Sequence, residues 1–348
     1  MHAWLLAPDN FTPPSRTPWG GTAIVSRYKH DLGLDPSTVV GESWEVSAGD
    51  EFPSRVQGTG EALADVLARE PDRHLGDEAA AGNTSLLVKL LDAADNLSVQ
   101  IHPSDDYEGL DEGECGKPES WYVLDAAPGA GLYLGLAEHA TSARVRDALA
   151  VEGDVAAMLG FVPVAPGDFF VVEAGTAHAI GRGVTLVEPQ IVRPGRRGVT
   201  YRYWDWNRRY DAQGSATPSG RPRALHVEHA LAVTAWDAPR GEAFLQRARV
   251  RAGAADLAGP LTLTALCGRT GAALVSEHLA VSRVAGTGSL TLAVSGRMRA
   301  VTVAEGTLHL DGDGGTVTVT RGRSAVIAAR ADVTLRGDRA HAVVASVA

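Results

Sequence analysis

Polar and apolar positions alternate through Ser98, Val99, Gln100, Ile101 and His102 up to Pro103, and this alternation predicts a strand. Residues i and i+2 of a strand share a face, so Ser98, Gln100 and His102 point one way and Val99 and Ile101 the other. A polar trio on an inward face costs stability unless a metal ion or a polar ligand partners it. Lys117 and Glu119, two apart around Pro118, repeat the arrangement. Residues 41–47 alternate as another strand, with Trp44 and Val46 toward the core. Residues 86–91 form a continuous apolar run around Lys89, the pattern of a buried strand, and Lys89 must snorkel or meet an anion. Residues 132–135 and 169–172 are further short strands.

Helical spacing is confined to short stretches. Residues 60–70 carry a stripe of Leu63, Val66 and Leu67, with Thr59 as the cap and Pro71 as the stop. Residues 142–160 read as two short helices, capped by Thr141 or Ser142, with Val145, Leu149, Val155 and Leu159 buried. Residues 226–236 read as one more. From about residue 241 the texture changes to short alternating segments split by glycine, with hairpin spacing. The chain therefore reads as all-β with small helical insertions. A first unit, 1–238, carries the polar constellations, and a second, 239–348, is a β-sandwich with few of them.

The formal net charge of −10 argues against a general nucleic-acid binder. It bears on residues 193–209, where Arg193, Arg196, Arg197, Arg202, Arg208 and Arg209 mix with Tyr201, Tyr203, Trp204 and Trp206. That run is read as a solvated arginine face rather than an RNA-stacking surface. Two cysteines, Cys115 and Cys267, imply no disulfide framework and a reducing compartment. The N-terminus has no basic n-region and no sustained apolar core. No apolar run approaches the roughly 20 residues that span a bilayer. The expectation is a cytoplasmic protein without nucleic-acid or membrane partners, monomeric or homodimeric.

Gln100 and His102 sit on one strand, Glu119 on the next, and His178 follows the bend that Gly175 permits. That order converges inside a small barrel as a metal site of two imidazoles, one carboxylate and one amide. Such donors suit zinc, iron, cobalt or manganese. With a single carboxylate the site stays net positive and can polarise a sugar oxygen.

Gly167 and Asp168, followed by Gly175, Thr176, Ala177 and His178, resemble the second cupin motif. A larger set resembles the short bacterial type I mannose-6-phosphate isomerases. It comprises residues 19–22 (WGGT), 41–44 (GESW), 97–103 (LSVQIHP), 116–122 (GKPESWY) and 175–181 (GTAHAIG). The resemblance spans about residues 15–235. It implies a cupin jelly-roll barrel followed by a second, cupin-like β domain. It also implies a zinc-dependent interconversion of mannose 6-phosphate and fructose 6-phosphate, one zinc per chain, held by Gln100, His102, Glu119 and His178. Arg202, in Thr200-Tyr201-Arg202, matches the family's arginine, and Glu188 matches an acidic residue kept between the last histidine and that arginine. Residues 189–198 depart from the family pattern. They are longer and more basic and lack a Ser-Asp pair, which bears on where Arg202 sits and on substrate choice.

Aldose–ketose isomerisation through an enediol needs a base near C1 and C2, positive charge at the oxygens, and a phosphate anchor. Glu188 is the expected base and Lys117 the second choice, a lysine that a nearby metal would make less basic. The metal and Arg202 serve the oxygens. For the phosphate, Ser98 follows from strand parity, while Lys89 and Arg208 follow from the resemblance and their charge. Two other readings use the same residues. One is a cupin metalloenzyme of different chemistry, such as an iron dioxygenase. The other is a non-catalytic sugar-phosphate-binding cupin, which the altered 189–198 segment favours.

Overall fold

In the computed structural model, which describes residues 1–348, the Leu86–Ala93 strand is buried along its whole length. The cause is a sheet covered on both faces. That sheet has six strands in the order Arg249–Arg251, Asp168–Val172, Glu119–Ala126, Val184–Ile191, Leu86–Ala93 and Glu42–Val46. Strand parity divides its side chains. Leu86, Val88, Leu90, Tyr122, Phe169, Val171 and Val187 join a large core shared with the C-terminal sheet. Leu91, Trp121, Val123, Phe170, Val172 and Leu186 join a second core on the opposite face.

Across that second core lies a five-stranded sheet, Tyr201–Trp204, Val99–Ile101, His178–Ile180, Gly131–Leu136 and Leu159–Pro163. Its outer face buries Val99 and Ile101 against Val145, Ala230 and Leu231 of the helices Ser142–Ala150 and Val227–Val233. The two sheets face each other without a strand pair joining them, so the cupin-type jelly roll is an open sandwich rather than a closed barrel.

The third sheet has eight strands and is built largely from three long, bent strands, Leu279–Leu292, Arg299–Gly312 and Val333–Val347. Ladder shifts at Gly286/Gly288 and Val303/Glu305 bend them. The divide expected near residue 238 is crossed twice. Ala3–Leu5 pairs with Ser324–Ile327 in the C-terminal sheet, and Arg249–Arg251 pairs with Asp168–Val172 in the six-stranded one. No helix is long and apolar enough to cross a membrane.

The expected helices form with two corrections, one of them that the second helix expected within 142–160 is only the 3-10 turn Ala156–Met158. The first helix spans Leu63–Arg69 and is preceded by Ala62, while Thr59 accepts the Glu61 N–H upstream of it. Pro71 follows the end of that helix, as expected, and also opens a second short one, Pro71–His74, where a residue lacking an N–H fits the first turn. Thr141 caps Ser142–Ala150 by accepting the Arg144 N–H at 3.2 Å.

Lys29 is a buried cation behind the Glu42–Val46 strand. Its ammonium donates to Pro8 O, Ser43 Oγ and Glu45 Oε1 at 2.6, 2.8 and 2.6 Å, and Ser324 Oγ donates to Glu45 Oε2 at 2.8 Å. This network ties the N-terminal loop to the C-terminal sheet. Lys29→Met strands a buried carboxylate and is expected to cost about 3–5 kcal/mol in urea denaturation. A loss under about 1 kcal/mol would mean that Glu45 finds another partner.

Candidate functional site

Between the two facing sheets opens a cleft of about 1240 Å³. On the five-stranded side, Arg202, Gln100 and His178 are cross-strand neighbours in register. On the six-stranded side, Trp44, Lys89 and Glu188 form a second row, and Glu119 pairs with Gln190. The spacing of the strands therefore delivers rows of polar side chains to one volume.

His102, Glu119 and His178 converge, all buried, with their donor atoms within 4.8 Å of one another. His102 Nδ1 donates to Val199 O at 2.9 Å and His178 Nδ1 to Thr176 O at 2.8 Å. These bonds fix the tautomer and aim both Nε2 lone pairs at Glu119, whose oxygens lie 3.3 Å from each. Neither Nε2, nor Glu119 Oε1, has a hydrogen-bond partner. Three such buried orphans in one place are what a metal ion satisfies, and the donor set suits a divalent ion. Gln100 reaches this place by its register with His178. Gln190 donates to Glu119 Oε2 at 2.7 Å and orients it.

Burial, then the Lys117 charge, pushes His102 down, and burial pushes His178 down to about 3, so both imidazoles are neutral. Burial alone would raise Glu119, but a proton shared with His102, and then the Lys117 charge, outweigh it and hold the carboxyl well below the usual range. Lys117 Nζ lies 3.7 Å from Glu119 Oε2. Burial, then the Glu119 charge, lifts Glu188 to about 8. Trp121 Nε1 donates to Glu188 Oε1 at 2.9 Å, and Lys89 Nζ lies 4.0 Å from Oε2.

Lys89 also lies 3.6 Å from Glu42 Oε2 and 4.5 Å from the Trp44 ring centroid, and Trp44 Nε1 donates to Glu42 at 2.9 Å. Lys89 thus neither snorkels nor stands free: it bridges two carboxylates, Glu42 and Glu188. Trp44 is not a core anchor. A shift in the ladder between Trp44 and Val46 lets Val46 enter the core while Trp44 and Glu42 face the cleft.

Ser98 accepts from Arg202 Nε at 3.2 Å, on the face expected from parity. Arg202 also donates through Nη1 to Ala224 O at 2.9 Å, and its backbone N–H donates to His226 Nδ1 at 3.1 Å. Arg208 is not brought to the cleft. Its guanidinium is taken by Asp95 at 2.8 Å and Asp205 at 2.6 Å. Arg223 lines the cleft instead.

The unusual 189–198 segment leaves Arg202 in register with Gln100. Its basic residues hold the acidic 105–114 loop: Arg193 pairs with Asp105, Arg197 with Glu114, and Arg196 with Glu114 O. The arginine face is exposed, as expected, and is also paired with that loop. Trp121, Gln190, Glu42 and Arg223 were not anticipated here. The first two share strand parity with Glu119 and Glu188, a signal that could have found them.

The family model for the phosphomannose isomerase type I catalytic domain matches residues 15–115. A mannose-6-phosphate isomerase of Streptococcus mutans is 37% identical over 218 residues, 62% of this chain and 63% of that protein. The aligned region thus spans under two thirds of that relative's length. A putative mannose-6-phosphate isomerase of Bacillus subtilis, YvyI, is 33% identical over 231 residues, 65% of this chain and 67% of that protein. The solved mannose 6-phosphate isomerase of Bacillus subtilis superposes with a TM-score of 0.76 over 99% of both chains at 26% identity.

Proposed function

Because the chain belongs to the type I phosphomannose isomerase family, we propose that it interconverts mannose 6-phosphate and fructose 6-phosphate through an enediol, with one divalent ion, zinc, per chain. The observation that carries this reading is the trio of buried, unpartnered donor atoms of His102, Glu119 and His178, whose neighbours Gln100, Lys117 and Gln190 line a cleft rich in cations. Gln100 completes the ligand set. When bound, the ion supplies positive charge that polarises the sugar's oxygens at C1 and C2.

The chain's own residues do the rest. Glu188 takes the C2 proton of the aldose and returns it to C1, and its raised affinity for protons suits a base working near neutrality. Trp121 keeps one carboxylate oxygen fixed and leaves the other for the proton. Lys117, beside Glu119, is the second choice for the base. Positive charge at the developing enediol oxygens would come from the ion, and Arg202, expected there, is read instead as facing the substrate's phosphate.

A coupled assay with mannose 6-phosphate, before and after chelation and with zinc restored, tests the reading. Turnover that chelation removes and zinc restores supports it. Absence of turnover with one divalent ion bound would replace the enzyme by a sugar-phosphate-binding protein. Trp121→Phe keeps the ring against His178, 5.3 Å away, but removes the donor to Glu188. It is expected to lower kcat roughly tenfold, the worth of one hydrogen bond to a charged group. An unchanged kcat would show that Glu188 needs no such support.

A further inference from the structure

Arg223 and Arg202 come from opposite ends of an excursion that leaves the five-stranded sheet after Tyr201–Trp204 and returns at the helix Val227–Val233. The excursion starts in a turn where Trp206 and Asn207 both take left-handed backbone, φ 58° and 55°. Trp206 Nε1 donates to Leu97 O and Trp204 Nε1 to Asn207 Oδ1, both at 2.7 Å, and these bonds hold the conformation. Asp205, buried just before that turn, grips Arg223 with two parallel bonds of 2.7 Å, from Nε and Nη2. The grip points the arginine from the loop into the cleft and leaves Nη1 without a protein acceptor. Arg202 uses Nε and Nη1 on Ser98 and Ala224 and leaves Nη2 without one.

Arg202 has no carboxylate within ion-pair distance, and Arg223 is the charge that most depresses it, after burial, to about 10. Two guanidiniums held side by side, one without a counter-ion, repel each other unless an anion joins them. A phosphate dianion matches both forks.

We propose that Arg223 is a substrate-binding residue that holds the sugar's phosphate beside Arg202, in the place expected for Arg208, with Asp205 as the residue that orients it. The proposal rests on the isomerase reading for the identity of the sugar, but not for the anion site itself. Arg208 stands behind, its guanidinium closing the Asp205 carboxylate against Asp95.

Isothermal titration of wild-type and Arg223→Met protein with inorganic phosphate and with fructose 6-phosphate tests it, alongside steady-state kinetics. The expected result is at least about tenfold weaker binding of both, with KM for mannose 6-phosphate raised to match and kcat within about threefold. Unchanged affinity for both ligands overturns the proposal. So does a fall in kcat at constant KM, the mark of a purely structural arginine. Should Arg223→Met fail to fold, Arg223→Gln keeps a donor to Asp205 and carries the same outcomes. Arg223-dependent phosphate binding by a wild type that turns over no mannose 6-phosphate would sink the isomerase reading and leave the anion site standing.

Discussion

A His178→Ala variant is expected to hold less than about a tenth of an equivalent of zinc and to turn over mannose 6-phosphate at least about a thousandfold more slowly. His178 contributes one of two imidazoles whose Nδ1 is locked onto a backbone carbonyl, so only Nε2 is on offer. Alanine removes that donor, and nothing else in the cluster replaces it. Two readouts separate metal loss from collapse of the fold. Zinc should raise the melting temperature of metal-stripped wild type, because an ion that binds only the folded state stabilises it by mass action. The variant should melt cooperatively yet gain nothing from zinc. A variant that keeps a full equivalent of zinc and near-normal turnover would remove His178 from the ligand set.

Glu188→Gln is expected to reduce kcat by about 10²–10⁴ while leaving sugar-phosphate binding within a few-fold. The same substitution should stabilise the metal-free protein in alkaline solution. Burial and the Glu119 charge raise the folded-state affinity of Glu188 for its proton, to about 8 against 4.5 for an exposed glutamate. A group raised in this way contributes stability at low pH that is lost as pH climbs from the ordinary carboxylate range through the folded value. Wild type and variant should therefore melt together near pH 4 and diverge up to about pH 8, with the glutamine protein the more stable. In the zinc-loaded enzyme the ascending limb of kcat/KM should lie between 4.5 and 8, since an added cation favours the ionised carboxylate, and Glu188→Gln should erase it. Full activity in Glu188→Gln would transfer the base role to Lys117. A melting difference that grows toward acid would refute the burial account.

The convergence of His102, Glu119 and His178 was legible because it obeys local rules. Strand parity put Ser98, Gln100 and His102 on one face, and Gly175, at φ 79°, allowed the bend that returns His178. What could not be read depends on partners far along the chain. Lys89 could not snorkel because its sheet is covered on both faces, a fact of tertiary packing. Trp44 turned toward the cleft through an irregular ladder, which leaves no mark in the alternation. Arg208 misses the cleft and the unanticipated Arg223 lines it, because loops carry no periodicity and Asp205 holds both arginines. The basic 193–197 segment looked like a free surface because its acidic partners lie some 80 residues earlier. Pro71 is ambiguous in any sequence, as the same ring ends one helix and begins the next.

The strand Ala3–Leu5 lies at one edge of a sheet whose next member is Ser324–Ile327. Residues 3–5 therefore wait for residues 324–327, far downstream, before they can pair. Until then the shared core of the six- and eight-stranded sheets lacks one wall, and the Lys29–Glu45 network lacks Ser324. Such distant pairing makes folding slow and leaves a partly made chain with unpaired strand edges. Nascent chains released before about residue 327 should be degraded or held by chaperones, however complete their metal ligands. The Ala3–Leu5 strand thus acts as a proofreading latch: it closes the shared core only once residues 324–327 have been made.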